Sequence, residues 1–249
     1  MDVIEKVYKS TNTIKQIYKD EYDTSQIPGL SINEIKKLYE LNTDENIYTH
    51  LSGCPACCFS IPHNVVSNCN LHIIYYNFPI FGEDKTTKIN KRSFIDKINK
   101  MYEDEIFNQI DSVLIILNEN LTEKTLEIAN IITKLLHENP IDLTNTNKEL
   151  KSKNVKLEFK HFRNVFIFDV KTLMINILEH DYIPKHEVIR DIDEINHIAQ
   201  INNCKLDQFP IILKNDAIAK LKLSTKKDLI KITRNSRTTG EYIYYRIVS

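Results

Sequence analysis

Residues Arg234–Ser249 read RNSRTTGEYIYYRIVS. A polar run centred on Gly240 gives way to Tyr242–Val248, where aromatic and β-branched residues crowd together, so the stretch predicts a turn followed by a strand. Just before it, Leu229–Thr233 has the same β-branched character and predicts a second strand. Working outward, Asp216–Leu223 reads as a short helix and Asp191–Ile201 as a longer one. Helices and strands in this order make an α/β (α+β) module whose last strand ties down the end of the sequence.

Upstream of that module the apolar pattern stops, His180-Asp181 intervenes, and Pro184 pushes Ile183 toward an extended conformation. The boundary is therefore expected near Leu178–Pro184, giving a front domain over 1–178 and a C-terminal domain over 179–249. In the front domain Val3, Ile4, Val7, Tyr8, Ile14, Ile17 and Tyr18 recur at helical spacing and predict an amphipathic helix over about Asp2–Asp20. Ser31 and Glu34 stand in capping-box spacing ahead of Ile35, Leu38 and Tyr39. Strands are expected over Cys57–Ile61, Leu71–Phe78, Ser112–Leu117 and Val165–Val170, a helix over Lys91–Ile110, and another capped by Thr122. The polar stretch near 139–154 reads as a surface insertion.

Composition bounds the function. The chain has 249 residues, 42% hydrophobic and 27% charged, with 4 Gly and no Trp, which suits a globular protein and offers no glycine loop for phosphates. A formal net charge of -1 gives no global affinity for nucleic acid, so any such contact is local. No apolar run reaches membrane-spanning length, and the start Met1-Asp2-Val3 lacks the order of a signal peptide, so a soluble intracellular protein is expected. The abundance of Ile, Asn and Lys reads as codon bias in an AT-rich genome.

Candidate chemistry is sparse. Cys54, Cys57, Cys69 and His72 have a spacing that could surround a tetrahedral zinc, although unpaired cysteines in an apolar run also serve as small core residues. Glu83-Asp84-Lys85 offers the groups of a metal-dependent nuclease but equally a solvated turn. Tyr75, Tyr76 and Phe78 could stack on bases or fill a core. His180 and His186 flank the proline, where hydrogen-bonded structural histidines are the simpler reading. No convergent catalytic set appears, and no cofactor is expected.

The C-terminal residues resemble the common fifth subunit of eukaryotic nuclear RNA polymerases, a family with an archaeal counterpart. Ile183-Pro184-Lys185-His186 is similar to the family's hydrophobic-Pro-Lys-His signature, and Phe209-Pro210-Ile211-Ile212 to its Leu-Pro-Arg-Ile strand. Asp216 with Ala219 matches Asp-Pro-Val-Ala, and Asp228–Ile232 matches an acidic residue leading into a strand. Ser236, Thr238, Gly240, Tyr242, Tyr245 and Arg246 match the family's ending. Departures are Ala217 for a proline, Lys227 for a turn glycine, and an apparent exchange of charges between Arg237 and Glu241, which implies an intramolecular contact kept between them.

The resemblance implies a non-catalytic subunit of a DNA-directed RNA polymerase. A nuclease-like mixed α/β jaw domain would sit beside downstream double-stranded DNA, touching phosphates without sequence preference, and a small assembly domain would pack on the largest subunit. It implies interface roles for Pro184, Lys185, His186, Arg234, Tyr242, Tyr245 and Arg246. Thr122 and Lys124 stand at the family's DNA-facing turn, here with acidic Glu123 between them. Neither a membrane nor a small-molecule substrate is expected. The composition and the departures suggest a polymerase encoded by a large DNA virus, placing the chain in the virion or infected cytoplasm; a cellular version would be nuclear. A zinc-stabilised nucleic-acid-binding module and a metal-dependent nuclease are the other readings of the residues.

Overall fold

Ser112–Leu117 is buried at all six positions, as a strand must be when both sheet faces and both edges are covered. In the computed structural model, which describes residues 2–41, 46–82, 89–138, 157–236, 238 and 240–249, this run is strand β3. It lies between β2 (Asn70–Tyr75) and β4 (Val165–Asp169), parallel to both, while β1 (Phe59–Pro62) pairs antiparallel with β2. Each parallel step is made through a helix, α3 (Lys91–Glu103) and then α4 (Glu123–Glu138). Val113, Leu114, Ile115, Ile116 and Leu117 are all fully buried, and each contributes about 1.5–3 kcal/mol.

Two helices precede this sheet. Helix α1 (Val3–Tyr18) buries Val7, Ile14, Ile17 and Tyr18 and packs against α2 (Ile32–Glu40) and the turn Val170–Leu173. The expected capping box starts α2: the Ser31 N–H donates to Glu34 Oε2 at 2.7 Å, and the Glu34 N–H donates to Ser31 Oγ at 3.4 Å.

Three expectations for the front half are corrected. The strand over Cys57–Ile61 begins only at Phe59, because Pro55–Cys57 is wound into a 3-10 turn. The strand from Leu71 ends at Tyr75, not Phe78. The helix from Lys91 stops at Glu103 and not Ile110: Glu105 turns to φ +56°, and the N–H groups of Ile106 and Phe107 both donate back to Met101 O at 3.0 Å. That reversal turns Phe107 inward, onto His72.

The described residues divide into two compact units. One comprises those up to 138 together with 162–175, the other 157–161 with 176–249. The insertion expected near 139–154, Glu83-Asp84-Lys85 and Arg237 of the proposed Arg237–Glu241 pair lie outside the described residues.

The second unit holds one sheet in the order β5-β7-β8-β6: β5 (Lys185–Ile189), β7 (Leu229–Ser236), β8 (Gly240–Val248) and β6 (Ile211–Ile212). Strands β7 and β8 form a hairpin, with β5 antiparallel to β7 and β6 parallel to β8. Leu229, Ile189, Tyr245 and Ile247 pack with Ile195, Ile198 and Ala199 of α5 (Ile192–Ile201). On the opposite face Ile212, Ile230, Ile232, Val248 and Tyr244 pack with Ala219 of α6 (Ala217–Leu221). Strand β5 is not announced by its sequence, because Lys185 and Glu187 alternate with His186 and Val188 and leave only one apolar face.

Four described residues of this unit have left-handed backbone, Asn203, Leu223, Lys227 and Gly240. Gly240 has φ +72°, which opens the β7–β8 hairpin at low steric cost. Exposed Lys227 has φ +68°. A side chain there works against the backbone. Lys227→Gly is therefore expected to raise the melting stability of the full chain by about 0.5–1 kcal/mol, in contrast to most glycine substitutions.

Candidate functional site

Strand alternation sorts the candidate residues of the second unit onto two faces. The registers His186↔Ile232↔Tyr244, Arg234↔Tyr242 and Ile230↔Arg246 place His186, Arg234, Tyr242, Tyr244 and Arg246 on the face that also carries α6. Lys185 and Tyr245, paired with Thr233 and Lys231, point to the other face.

Beyond α6 the first face forms an aromatic and cationic strip. Tyr242 and Tyr244 stack with centroids 5.7 Å apart and planes 24° apart. The Arg234 guanidinium lies 5.8 Å and that of Arg246 6.0 Å from the centre of the Tyr244 ring. Such placement holds the guanidinium planes through the ring quadrupole. Arg246 Nη1 also donates to Ile211 O at 3.1 Å, tying the strip to β6. Tyr242 is 55% exposed and its neighbour on the opposite face, Ile243, 43%. Among the described residues neither guanidinium has a carboxylate within ion-pair distance, whereas Lys185 and Lys231 both meet Glu187, at 2.5 and 3.3 Å.

The other candidates have structural settings. Half-buried Pro184 accepts through its carbonyl from His186 Nδ1 at 2.6 Å, and burial holds the His186 imidazole below its usual pKa. Tyr245 meets Phe209 edge-on at 6.3 Å within the unit's own core. Exposed His180 stacks on Tyr182. Tyr244, at the centre of the strip, is absent from the sequence-based set. The period of two that joins Tyr242 to Arg246 passes through it and is the signal that finds it.

In the first unit, Thr122 and Lys124 are exposed at the start of α4. The Thr122 Oγ1 is occupied in capping, 2.6 Å from Thr125 Oγ1 and 3.3 Å from the Thr125 N–H that donates to it. Tyr75, a candidate for base stacking, is fully buried, with its hydroxyl 2.8 Å from Ser10 Oγ, and it serves the core. The zinc arrangement is not assembled. Cys69 Sγ donates to Ile110 O at 3.5 Å, and both nitrogens of His72 are engaged, Nδ1 with Tyr48 Oη and Nε2 with Asp111 Oδ2, each at 2.9 Å. The pairs Cys54/Cys57 and Cys69/His72 thus have separate surroundings, and among the described residues no group of three or more His, Cys, Asp or Glu could hold a metal ion. No helix among them is long and apolar enough to cross a membrane.

Comparison with known proteins follows the second unit closely. The family model described as RNA polymerase Rpb5, C-terminal domain, matches residues 175–248. The DNA-directed RNA polymerase subunit Rpo5 of Aeropyrum pernix is 43% identical over 72 residues, which are 29% of this chain and 79% of that protein. The chain belongs to the Rpb5 family of RNA polymerase subunits.

Rpo5 of Nitrosopumilus maritimus is 44% identical over 79 residues, 31% of this chain and 93% of the relative. Rpo5 of Methanosphaera stadtmanae is 36% identical over 73 residues, covering 29% and 94%. The Rpb5 match spans β5 to β8 and therefore contains the whole tyrosine–arginine strip.

Proposed function

We propose that this chain is a non-catalytic subunit of a multisubunit DNA-directed RNA polymerase, with an assembly domain (179–249) on the largest subunit and a jaw domain (1–178) beside downstream DNA. The observation that carries the reading is the Rpb5 match over residues 175–248. The exposed strip supports it: arginine and tyrosine are the side chains that anchor protein interfaces, and two guanidiniums without carboxylate partners favour an acidic partner surface. Within this reading Arg234, Tyr242, Tyr244 and Arg246 are direct contacts, Lys185 lies at the margin, and Pro184, His186 and Tyr245 shape the sheet that presents them.

The jaw domain takes its role from the family resemblance. Thr122 and Lys124 would meet phosphates, with contacts that weaken as salt rises and do not read sequence. The subunit acts where its polymerase transcribes, in the nucleus of a cell or, for a virus-encoded enzyme, in the infected cytoplasm or virion.

The interface can be tested by charge reversal and truncation. Tagged chain carrying Arg234→Glu with Arg246→Glu is expected to recover at least tenfold less of the largest polymerase subunit than wild type, and Tyr244→Ala to lose a similar amount, as for a hot spot worth about 2 kcal/mol. Lys185→Ala is expected to change recovery less than twofold. Unchanged recovery by the double reversal, with the melting transition intact, would remove the strip from the interface.

A further inference from the structure

We propose that Cys54 and Cys57 are a redox-active pair that closes into an intrachain disulfide, making the first unit a target of small-molecule disulfides. The sequence Cys54-Pro55-Ala56-Cys57 is wound as a single 3-10 turn over Pro55–Cys57, with Cys54 at its N-cap and the Cys57 N–H donating to Cys54 O at 3.0 Å. A hydrogen-bonded four-residue turn keeps its outer Cα atoms within ~7 Å, matching the ~4.4–6.8 Å that a disulfide bridges. The 3-10 repeat also eclipses side chains three positions apart.

The surroundings single out this pair among four neighbouring cysteines. Ser52 Oγ accepts from the Cys54 N–H at 3.0 Å and lies 3.6 Å from Cys54 Sγ. Gly53 fixes the segment: a Cβ there would collide with the Phe78 carbonyl oxygen, so the bare backbone is seated against residue 78. Cys58 Sγ accepts from the Tyr75 N–H at 3.4 Å and donates to the backbone Cys54 O at 3.7 Å, so its thiol is held by backbone groups, and Cys69 donates to Ile110 O. Cys57 and Cys58 are both 7% exposed and Cys54 is fully buried, so within the pair a reagent enters at Cys57.

The reaction is thiol–disulfide exchange with a low-molecular-weight disulfide such as oxidised glutathione. The Cys57 thiolate attacks one sulfur of the reagent, forming a mixed disulfide and expelling one thiolate. The Cys54 thiolate then attacks the Cys57 sulfur, forming the intrachain bond and expelling the second thiolate. Two protein thiols are oxidised, one reagent disulfide is reduced to two thiols, and the protons of Cys54 and Cys57 pass through solvent to the leaving groups. Burial raises the Cys54 thiol well above its usual pKa, so ring closure quickens as pH rises.

The test uses the folded full-length chain. It is incubated with oxidised glutathione, alkylated in denaturant and mapped by mass spectrometry. The expected product is lighter than the reduced chain by two hydrogens, with a peptide joining Cys54 to Cys57, Cys58 and Cys69 alkylated, and reversal by dithiothreitol. Closure is expected to persist in Cys58→Ser and to be lost in Cys57→Ser, which should retain glutathione on neither Cys54 nor Cys58. Alkylated Cys54 after treatment, a Cys57–Cys58 bond, or glutathione left unresolved on Cys57 would each overturn the proposal without touching the polymerase assignment.

Discussion

Asp228→Ala is expected to destabilise the second unit by about 3–5 kcal/mol, a large share of the total of about 5–15 kcal/mol that a domain has. Its carboxylate is fully buried immediately before β7. It accepts from the Thr225 N–H at 2.7 Å and from His161 Nε2 at 2.9 Å, with Lys160 Nζ at 3.7 Å and Arg190 Nε at 3.8 Å. Removing it strands a buried backbone donor and leaves three basic groups without their shared acceptor, which is why the loss exceeds that of a surface ion pair. The same carboxylate holds residues 157–161 to this unit, across 67 positions of sequence in the case of His161. Asp228→Ala should therefore also expose that segment to limited proteolysis, while His161→Ala, which leaves the Thr225 contacts in place, should cost less than half as much. A denaturation midpoint for Asp228→Ala within 1 kcal/mol of wild type would refute this account of the unit's stability.

Asp111→Ala is expected to have a comparable effect on the first unit, again about 3–5 kcal/mol. The Asp111 carboxylate accepts from the Asn70 N–H at 2.7 Å and the Asn108 N–H at 2.9 Å, and lies 2.9 Å from His72 Nε2. An ionised carboxylate only accepts, so Nε2 carries the hydrogen and donates to Asp111; in the neutral ring Nδ1 then accepts from the Tyr48 hydroxyl. Phe107 stacks on the imidazole at 4.1 Å, which closes the site from above. Alanine at 111 leaves two backbone donors and His72 Nε2 without their shared acceptor in a buried site. Asp111→Asn keeps the shape but aims an amide NH2 at donors, and is expected to fall between alanine and wild type. Chemical denaturation followed by near-ultraviolet circular dichroism distinguishes the three; equal midpoints would mean that the network is not a significant source of stability.

Both networks show where sequence reading stops. The residues that build them are 39 and 67 positions apart, and nothing in local periodicity joins His72 to Asp111 or His161 to Asp228. Elements with a strong pattern were readable: the apolar run Ser112–Leu117 is a strand, and the Ser31/Glu34 box starts a helix. Ends were harder, because a reversal such as that at Glu105 depends on where Phe107 finds a partner. Strand β5 was hidden by its charges, which are tolerated because Lys185 and Glu187 pair with each other and with Lys231.

The candidate interface was half readable for a related reason. The adjacent Tyr245 and Arg246 look like one terminal feature, yet a strand sends neighbours to opposite faces: Tyr245 goes into the core with Phe209 and Arg246 onto the outer strip. Arg234, Tyr242 and Arg246 share that strip with Tyr244, which is flanked by both guanidiniums. The resemblance of single residues therefore identified the module, whereas the pleat decides which of its side chains reach a partner.

Affinity purification of the tagged chain from its native source, at moderate salt and after nuclease treatment, tests the central claim most directly. A polymerase subunit is expected to bring down the two largest polymerase subunits in near-equal amounts and to co-elute with promoter-independent RNA synthesis. Recovery of the chain alone, or with partners that include no large polymerase subunit, would contradict the account.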